Sequence, residues 1–291
     1  MDVLDEEVLP STGPGGQVQA DPLPRATRKR LASMRADVAA RIAQRPTAPA
    51  AIQDGAALPP GRALHGLLLQ YRSSGDAQVL GSARQLAAEL PAVRGRADKL
   101  AALAWQGRGL VALHDATSHD HHLDAAERLA AAVRRLEVPR GGFRDAPEAP
   151  RDALDLGANG IAARFLVELS WRIGMRGGHR DAAEKALRKV CVPALLDAQP
   201  TGWQDVLDGV DGLLAEPLHA TVVGPWENPA VARLHRACLR LPDEPLVVDW
   251  SPAGDDFPEV GAPCVYLARG TRCASPVLDE TQLAAAVARL A

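Results

Sequence analysis

The chain has 291 residues, of which 47% are hydrophobic but only 3% aromatic, so its core must consist mainly of Leu, Ala and Val. Ala and Leu are strong helix formers, which makes a helical protein the first expectation. The formal net charge of −3 excludes a strongly basic nucleic-acid-binding domain. No apolar run reaches the roughly 20 residues of a membrane span, and the acidic N-terminus lacks the features of a secretory signal. These observations together favour a cytoplasmic protein.

The first 60 residues divide into an arm, a helix and a linker. Residues 1–24 are rich in Gly, Pro and acidic residues, a composition that predicts a mobile arm. Residues 25–44 have the spacing of an amphipathic helix with arginines around its apolar stripe. That stripe consists of Leu31, Met34, Val38 and Ile42. Residues 45–60 contain four prolines and are predicted to be a linker.

An internal repeat is the most informative feature of the sequence. Three segments, at 63–90, 100–129 and 161–187, each contain an apolar helix, a short polar turn and an amphipathic helix. Turns this short force the two helices of a segment to lie antiparallel, and one such hairpin cannot bury its own apolar face. The linkers differ in length, and the longest spans 134–156. Unequal linkers favour an incomplete α/α toroid of stacked hairpins, as in six-hairpin glycosidases, over a regular solenoid.

The pattern changes after residue 216. A helical domain is therefore predicted over 25–216 and a small α/β unit over 217–291. This unit contains predicted strands at 219–224, 246–250 and 263–268 and predicted helices at 229–239 and 279–290, with Asp279 as an N-cap. The strand–helix–strand spacing indicates that the first two strands pair in parallel.

The cysteines and histidines indicate neither a cofactor nor a metal. None of the four cysteines belongs to a Cys-x-x-Cys pair. Cys264 and Cys273 flank a strand and a turn, where a disulfide is geometrically allowed. A reducing cytoplasm favours free thiols instead. His119, His121 and His122 form the densest group of metal-ligand residue types. Adjacent histidines at a helix start are expected to point apart, so a solvated turn is favoured over a metal site.

The long linker carries the candidate catalytic residues. Asp145, Asp152 and Asp155 lie in it, and a glycosidase needs two carboxylates about 5–10 Å apart across the sugar. Toroids place such residues on loops between hairpins, although a solvated acidic loop has the same composition. Arg151 is a candidate binding residue or an ion-pair partner of these acids. Asn159 is either a helix N-cap or a hydrogen-bonding residue of a pocket.

From about residue 25 to its end, the chain resembles the C-terminal part of the thioredoxin-domain-containing family related to spermatogenesis-associated protein 20. The best match is 265–277, Val-Tyr-Leu-Ala-Arg-Gly-Thr-Arg-Cys-Ala-Ser-Pro-Val, with further matches at 141–143, 152–159 and 220–224. The resemblance implies a six-hairpin α/α toroid, similar to those of sugar epimerases and glycosidases, and a small α/β tail. The family's thioredoxin-like domain does not occur in this sequence, which implies a separate thioredoxin-like partner.

Several family motifs are altered in this chain. The usual Pro-Ser-Gly-Asn reads Leu-Gly-Ala-Asn at 156–159, and only Asp152 and Asn159 of that region match. We therefore expect a binding or scaffold module that is non-catalytic or degenerate. The alternative is a carbohydrate-active enzyme. In either case the expected ligand is a small polyol or sugar. An incomplete toroid leaves apolar helix faces uncovered. We expect a second copy of the chain, a separate partner, or the chain's own α/β tail and N-terminal stripe to cover them, and we favour the homodimer over self-capping.

Overall fold

The computed structural model describes residues 23–44, 59–90, 99–151, 153–174, 176–242, 245–252, 257–258 and 260–290. Nearly all of the predicted arm at 1–24, most of the predicted linker at 45–60 and the candidate residue Asp152 lie outside these ranges. Within these ranges the protein is mainly helical, at 66% helix, with a small mixed sheet. None of the helices in the described ranges combines the length and the apolar character needed to cross a bilayer.

Eleven helices and four strands follow one another in the described ranges. The helices of the N-terminal part are α1 (Arg25–Gln44), α2 (Pro60–Ser74), α3 (Ala77–Glu89), α4 (Leu100–Thr117), α5 (Asp120–Arg134), α6 (Leu156–Ile173), α7 (His179–Val190), α8 (Pro193–Ala198) and α9 (Trp203–Leu214). The C-terminal part contains β1 (Leu218–Val223), α10 (Pro229–Leu239), β2 (Leu246–Ser251), β3 (Cys264–Arg269), β4 (Arg272–Cys273) and α11 (Leu283–Leu290).

The three predicted hairpins are present as the pairs α2/α3, α4/α5 and α6/α7. The first helices of these hairpins form a layer with α9, because α4 packs between α2 and α6, and α6 packs on α9. Close approach within the layer depends on glycine. A Cβ on Gly107 would lie 2.2 Å from the Phe165 ring, and one on Gly160 would lie 2.5 Å from the backbone of Asp205.

Helix α1 occupies the range that its periodicity predicts and packs against α9. Leu31 and Val38 of its stripe are fully buried, while Met34 and Ile42 pack at the edge of the same core. Arg35 Nε donates to the Asp211 carboxylate of α9 at 2.5 Å. The N-terminal stripe therefore covers a face of α9, which is one of the ways of covering an edge that the sequence predicts.

The C-terminal part is a four-stranded sheet in the order β2-β1-β3-β4. The predicted parallel pairing is confirmed for β1 and β2, which α10 connects, whereas β3 runs antiparallel to β1, and β4 antiparallel to β3. Leu64 of α2 and Leu113 of α4 share a core with Val222 and Val265 of the sheet. The α/β unit thus packs on the helical layer through α2 and α4. Cys264 and Cys273 are both free thiols.

Candidate functional site

The long linker folds back onto the start of α6 through Asn159. This side chain is fully buried, and its Oδ1 accepts from the Phe143 N–H at 2.8 Å while its Nδ2 donates to the Phe143 carbonyl at 2.9 Å. Its Nδ2 also donates to the carbonyl of Asp155 at 2.8 Å. All these partners are backbone groups of the protein itself. Asn159 therefore joins the linker to the helix, a role different from both roles that the sequence suggests for it.

The candidate acids of the linker also have backbone roles. The Asp155 carboxylate is the N-cap of α6 and accepts from the Ala158 N–H at 2.6 Å, and the carbonyl of Asp145 accepts from the Leu100 N–H at 2.8 Å. Arg151 lies exposed at the surface. Helix capping accounts for the acid at 155, because a carboxylate there satisfies N–H groups that have no partner within the helix.

A network of charged side chains instead lies within the helical layer. The Arg108 guanidinium of α4 donates to both carboxylate oxygens of Glu168 on α6, at 3.0 and 2.9 Å. Arg164, one turn before Glu168, donates to the same carboxylate at 2.7 Å. Arg108 Nη1 also lies 3.1 Å from an oxygen of Asp208 on α9. The four residues connect three neighbouring helices, and we call them the charge network.

The environment of the charge network keeps its acid ionised. Arg108 and Glu168 are both nearly inaccessible to solvent, with about a tenth of each side chain exposed (9% and 12%). Burial alone would raise the pKa of Glu168, but the neighbouring guanidinium groups of Arg108 and Arg164 dominate and hold it well below its usual value. The Arg108 guanidinium also lies 5.0 Å from the centre of the Trp105 ring, a cation–π distance.

A second buried ion pair adjoins the charge network. The Arg172 guanidinium of α6 forms a two-point pair with the Asp115 carboxylate of α4, with Nε to Oδ1 at 2.7 Å. Arg172 also donates to the carbonyl of Glu168 at 2.5 Å and to that of Leu246 on β2 at 3.4 Å. This arginine therefore fixes the helical layer to the sheet.

The two ion-pair groups line one cavity of about 230 Å³ between the helical layer and the α/β unit. Its charged wall contains Arg108, Arg164, Glu168, Asp208, Asp115 and Arg172. Apolar side chains of α2 and of the sheet form the rest, among them Leu69 and Val248, and the Trp171 ring lies on the α6 side. His65 completes the wall, and burial together with Arg108 lowers its pKa to about 4, so its imidazole is neutral at pH 7.

One further carboxyl group beside the layer has an altered pKa. Asp205 lies in the first turn of α9, and burial raises its pKa to about 6. The carboxylates of Asp208 and Asp155 raise it further, while Arg62 and Arg108 act in the opposite direction. A carboxyl group that titrates near neutral pH can donate or accept a proton at the pH of the cell.

The three histidines at the start of α5 lie closer together than their spacing predicts. Their ring nitrogens all lie within 4.8 Å of one another, and the ring centres of His121 and His122 are 3.9 Å apart. The expectation that adjacent histidines point apart is therefore wrong for this turn. The reason is local: His119 precedes the helix in an extended conformation, which brings its ring beside that of His121 at 5.5 Å between centres.

The sequence patterns considered above do not predict the charge network, although the sequence contains a signal for it. Arg108 and Glu168 are charges within mostly apolar helices, and such charges are almost always paired when buried. Arg164 and Glu168 also have the four-residue spacing of neighbours on a helix. The pairing of α4 with α6, which the sequence does not specify, was needed to connect Arg108 with Glu168.

Comparison with known proteins gives no relative from which a role for this site could be inferred. No protein-family model matches the chain, and no curated protein matches it either.

Proposed function

We propose that this chain is a non-catalytic binding module that holds a small polyol or sugar in the cavity between the helical layer and the α/β unit. The observation that carries the proposal is the charge network: Arg108, Arg164 and Glu168 line the cavity and are already fixed by one another. Groups that are fixed before a ligand arrives lose little conformational entropy on binding it.

The same network argues against acid catalysis by its most buried carboxylate. A general acid needs a pKa near the working pH, whereas two arginines hold the pKa of Glu168 far below it. Glu168 therefore stays an acceptor of hydrogen bonds across the physiological pH range. The wall carries charges of both signs, with four arginines, Arg72 among them, and three carboxylates. A neutral ligand with many hydroxyl groups suits such a wall, because each hydroxyl both donates and accepts.

Ligand-observed NMR with D-glucose, sorbitol and D-glucuronate tests this proposal. Leu69 lines the cavity and is 47% exposed, so Leu69→Trp fills the cavity at little cost in stability. Leu278→Trp is the matched control, because Leu278 is 54% exposed and does not line the cavity. We expect saturable binding of at least one probe by the wild type and the control, and its loss in Leu69→Trp. Equal binding by both variants, or no binding of any probe, would overturn the proposal.

The helical layer fits an incomplete α/α toroid, and this architecture is part of the proposal. Three hairpins, together with α9 and its outer partner α1, form successive neighbours, as the hairpins of such a ring do. The resemblance to thioredoxin-domain-containing proteins adds a separate thioredoxin-like partner. Mixing the chain with a thioredoxin-like protein of the same source and measuring co-elution on a sizing column tests that part.

A carbohydrate-active enzyme is the second candidate, and Asp205 is the observation that favours it. Its pKa of about 6 suits a general acid, and it adjoins Asp155 and Asp208. If the chain hydrolyses or epimerises a sugar, Asp205→Asn should abolish turnover without lowering the melting temperature. Turnover that persists in Asp205→Asn would remove this candidate.

A further inference from the structure

The turn between α4 and α5 concentrates imidazole groups at the surface. His119, His121 and His122 lie within four positions, and His119 and His121 are exposed while His122 is half-buried. The side chain of His119 makes no capping hydrogen bond to α5, although it occupies the N-cap position. Three imidazole rings are thus placed side by side with their nitrogens available to a further group.

The distances between these rings suit a shared metal ion. Their ligand nitrogens lie within 4.8 Å of one another, and the ring centres of His119 and His122 are 6.0 Å apart. Zinc bonds to histidine nitrogen at about 2.0–2.1 Å, so two nitrogens of a tetrahedral site are about 3.4 Å apart. Contraction by up to about 1.4 Å needs only small side-chain rotations, which the exposed His119 and His121 make at low cost.

We propose that His119, His121 and His122 form a binding site for a divalent transition-metal ion, with zinc as its occupant and a water molecule as the fourth ligand. Neutral imidazole is a preferred ligand of zinc, copper and nickel, and an ordinary histidine is mostly neutral at pH 7. A hard cation such as Mg²⁺ or Ca²⁺ would require oxygen ligands instead. Three protein ligands and one exchangeable position correspond to an open zinc site.

Neighbouring charges act on this site in opposite directions. Burial, His121 and Arg84 of α3 lower the pKa of His119, whereas Asp120, between the first two ligands, acts in the opposite direction. The site is also connected to the α/β unit. His114 Nδ1 lies 3.4 Å from the carbonyl of His119, and His114 Nε2 lies 3.8 Å from Asp249 on β2. A metal ion would therefore order a turn that contacts both parts of the molecule.

Titration of the full-length protein with ZnCl₂ and with CoCl₂ tests the site. We expect one equivalent of zinc by calorimetry, and a cobalt spectrum with the intense visible bands of four-coordinate Co²⁺. Each of His119→Ala, His121→Ala and His122→Ala should lower the affinity by more than about tenfold, since even loss of an outer-shell partner costs that much. His179→Gln, which removes an imidazole from α7, should leave zinc affinity unchanged, and Arg84→Gln should raise it.

A composition-matched variant separates geometry from mere histidine content. His121→Ala combined with Glu127→His keeps three histidines in the segment but moves one of them about 9 Å along α5 and about 120° around it, out of reach of the other two. We expect this double variant to bind zinc as weakly as His121→Ala alone. Wild-type affinity in the double variant, or single variants that bind as tightly as the wild type, would overturn the proposed site.

Discussion

The guanidinium of Arg108 holds the carboxylate of Glu168 through two nearly parallel hydrogen bonds of 3.0 and 2.9 Å between α4 and α6. Both partners are buried, and Arg164 binds the same carboxylate from one turn earlier on α6. A buried pair of this kind contributes little when intact but costs much when one partner is removed. The first prediction follows from this asymmetry.

Glu168→Gln should lower the free energy of unfolding by about 3 kcal/mol at pH 7, because it leaves two buried guanidinium groups with only the partly exposed Asp208 as counter-charge. The measurement is urea denaturation followed by circular dichroism. Glu184→Gln is the control: Glu184 pairs only with the half-exposed Arg188, and its loss should cost less than about 1 kcal/mol. Equal costs for the two variants would show that the charge network is not stabilised by Glu168.

The pKa of Asp205 predicts a pH dependence of stability. Its folded-state pKa of about 6 is above the ordinary value of 3.8, so the folded protein favours the protonated carboxyl group. The resulting stabilisation is complete below about pH 4 and is lost as the pH rises through about 6. The side chain of Asp205→Asn stays uncharged at every pH, so this variant does not lose that stabilisation. Between pH 4 and pH 7 the free energy of unfolding of the variant minus that of the wild type should therefore rise by about 1 kcal/mol, after allowance for solvent screening. Asp211→Asn, on the same helix, should show no comparable gain.

The hydrogen bonds of Asn159 predict a structural phenotype. Asn159→Leu should lower the free energy of unfolding by about 3 kcal/mol, because the N–H and carbonyl groups of Phe143 lose their partner in a buried place. Asp155→Ala removes only a helix cap and should cost about 1 kcal/mol. Thermal denaturation of both variants provides the comparison. A pocket role for Asn159 would require ligand binding to fall in a variant whose stability is unchanged.

The close approach of α6 and α9 predicts opposite effects for two glycine substitutions. Gly160→Ala should destabilise the protein by more than about 2 kcal/mol, since its Cβ would lie 2.5 Å from the backbone of Asp205. Gly81→Ala lies within α3, where a Cβ meets nothing within 4 Å, and should stabilise the protein by about 0.5–1 kcal/mol. Denaturant midpoints measure both. Equal effects in the two helices would contradict the packing described for the helical layer.

The oligomeric state tests whether a second copy of the chain covers the helical layer, as the sequence analysis expects. The homodimer stays a prediction, and light scattering at low micromolar concentration should then give twice the 30.7 kDa mass of one chain. Helix α1 already covers α9 through Leu31 and Val38. Leu31→Asp should therefore expose the apolar face of α9 and cause aggregation in either state. A monomer mass for the wild type would remove the dimer.

Local signals in the sequence predicted the helices well, because periodicity is a local property. The stripe from Leu31 to Ile42 gave α1 its correct range, and Asp279 caps the last helical segment as predicted. The pairing of elements distant in the chain was not accessible in the same way. Nothing near Glu168 indicates that α4 lies beside α6, and β4 is too short, at two residues, to have a pattern. The role of Asn159 likewise depends on a linker turn that lies 16 residues earlier.

The contact between α1 and α9 also has a consequence during synthesis of the chain. Arg35 and Asp211 are 176 residues apart, so the N-terminal helix leaves the ribosome long before the helix that covers it. At about 5–20 residues per second, this interval lasts about 9–35 s. Throughout it, the apolar stripe of α1 is exposed on the nascent chain and is open to chaperones and to other nascent chains. Completion of the helical layer is therefore timed by translation of its last member.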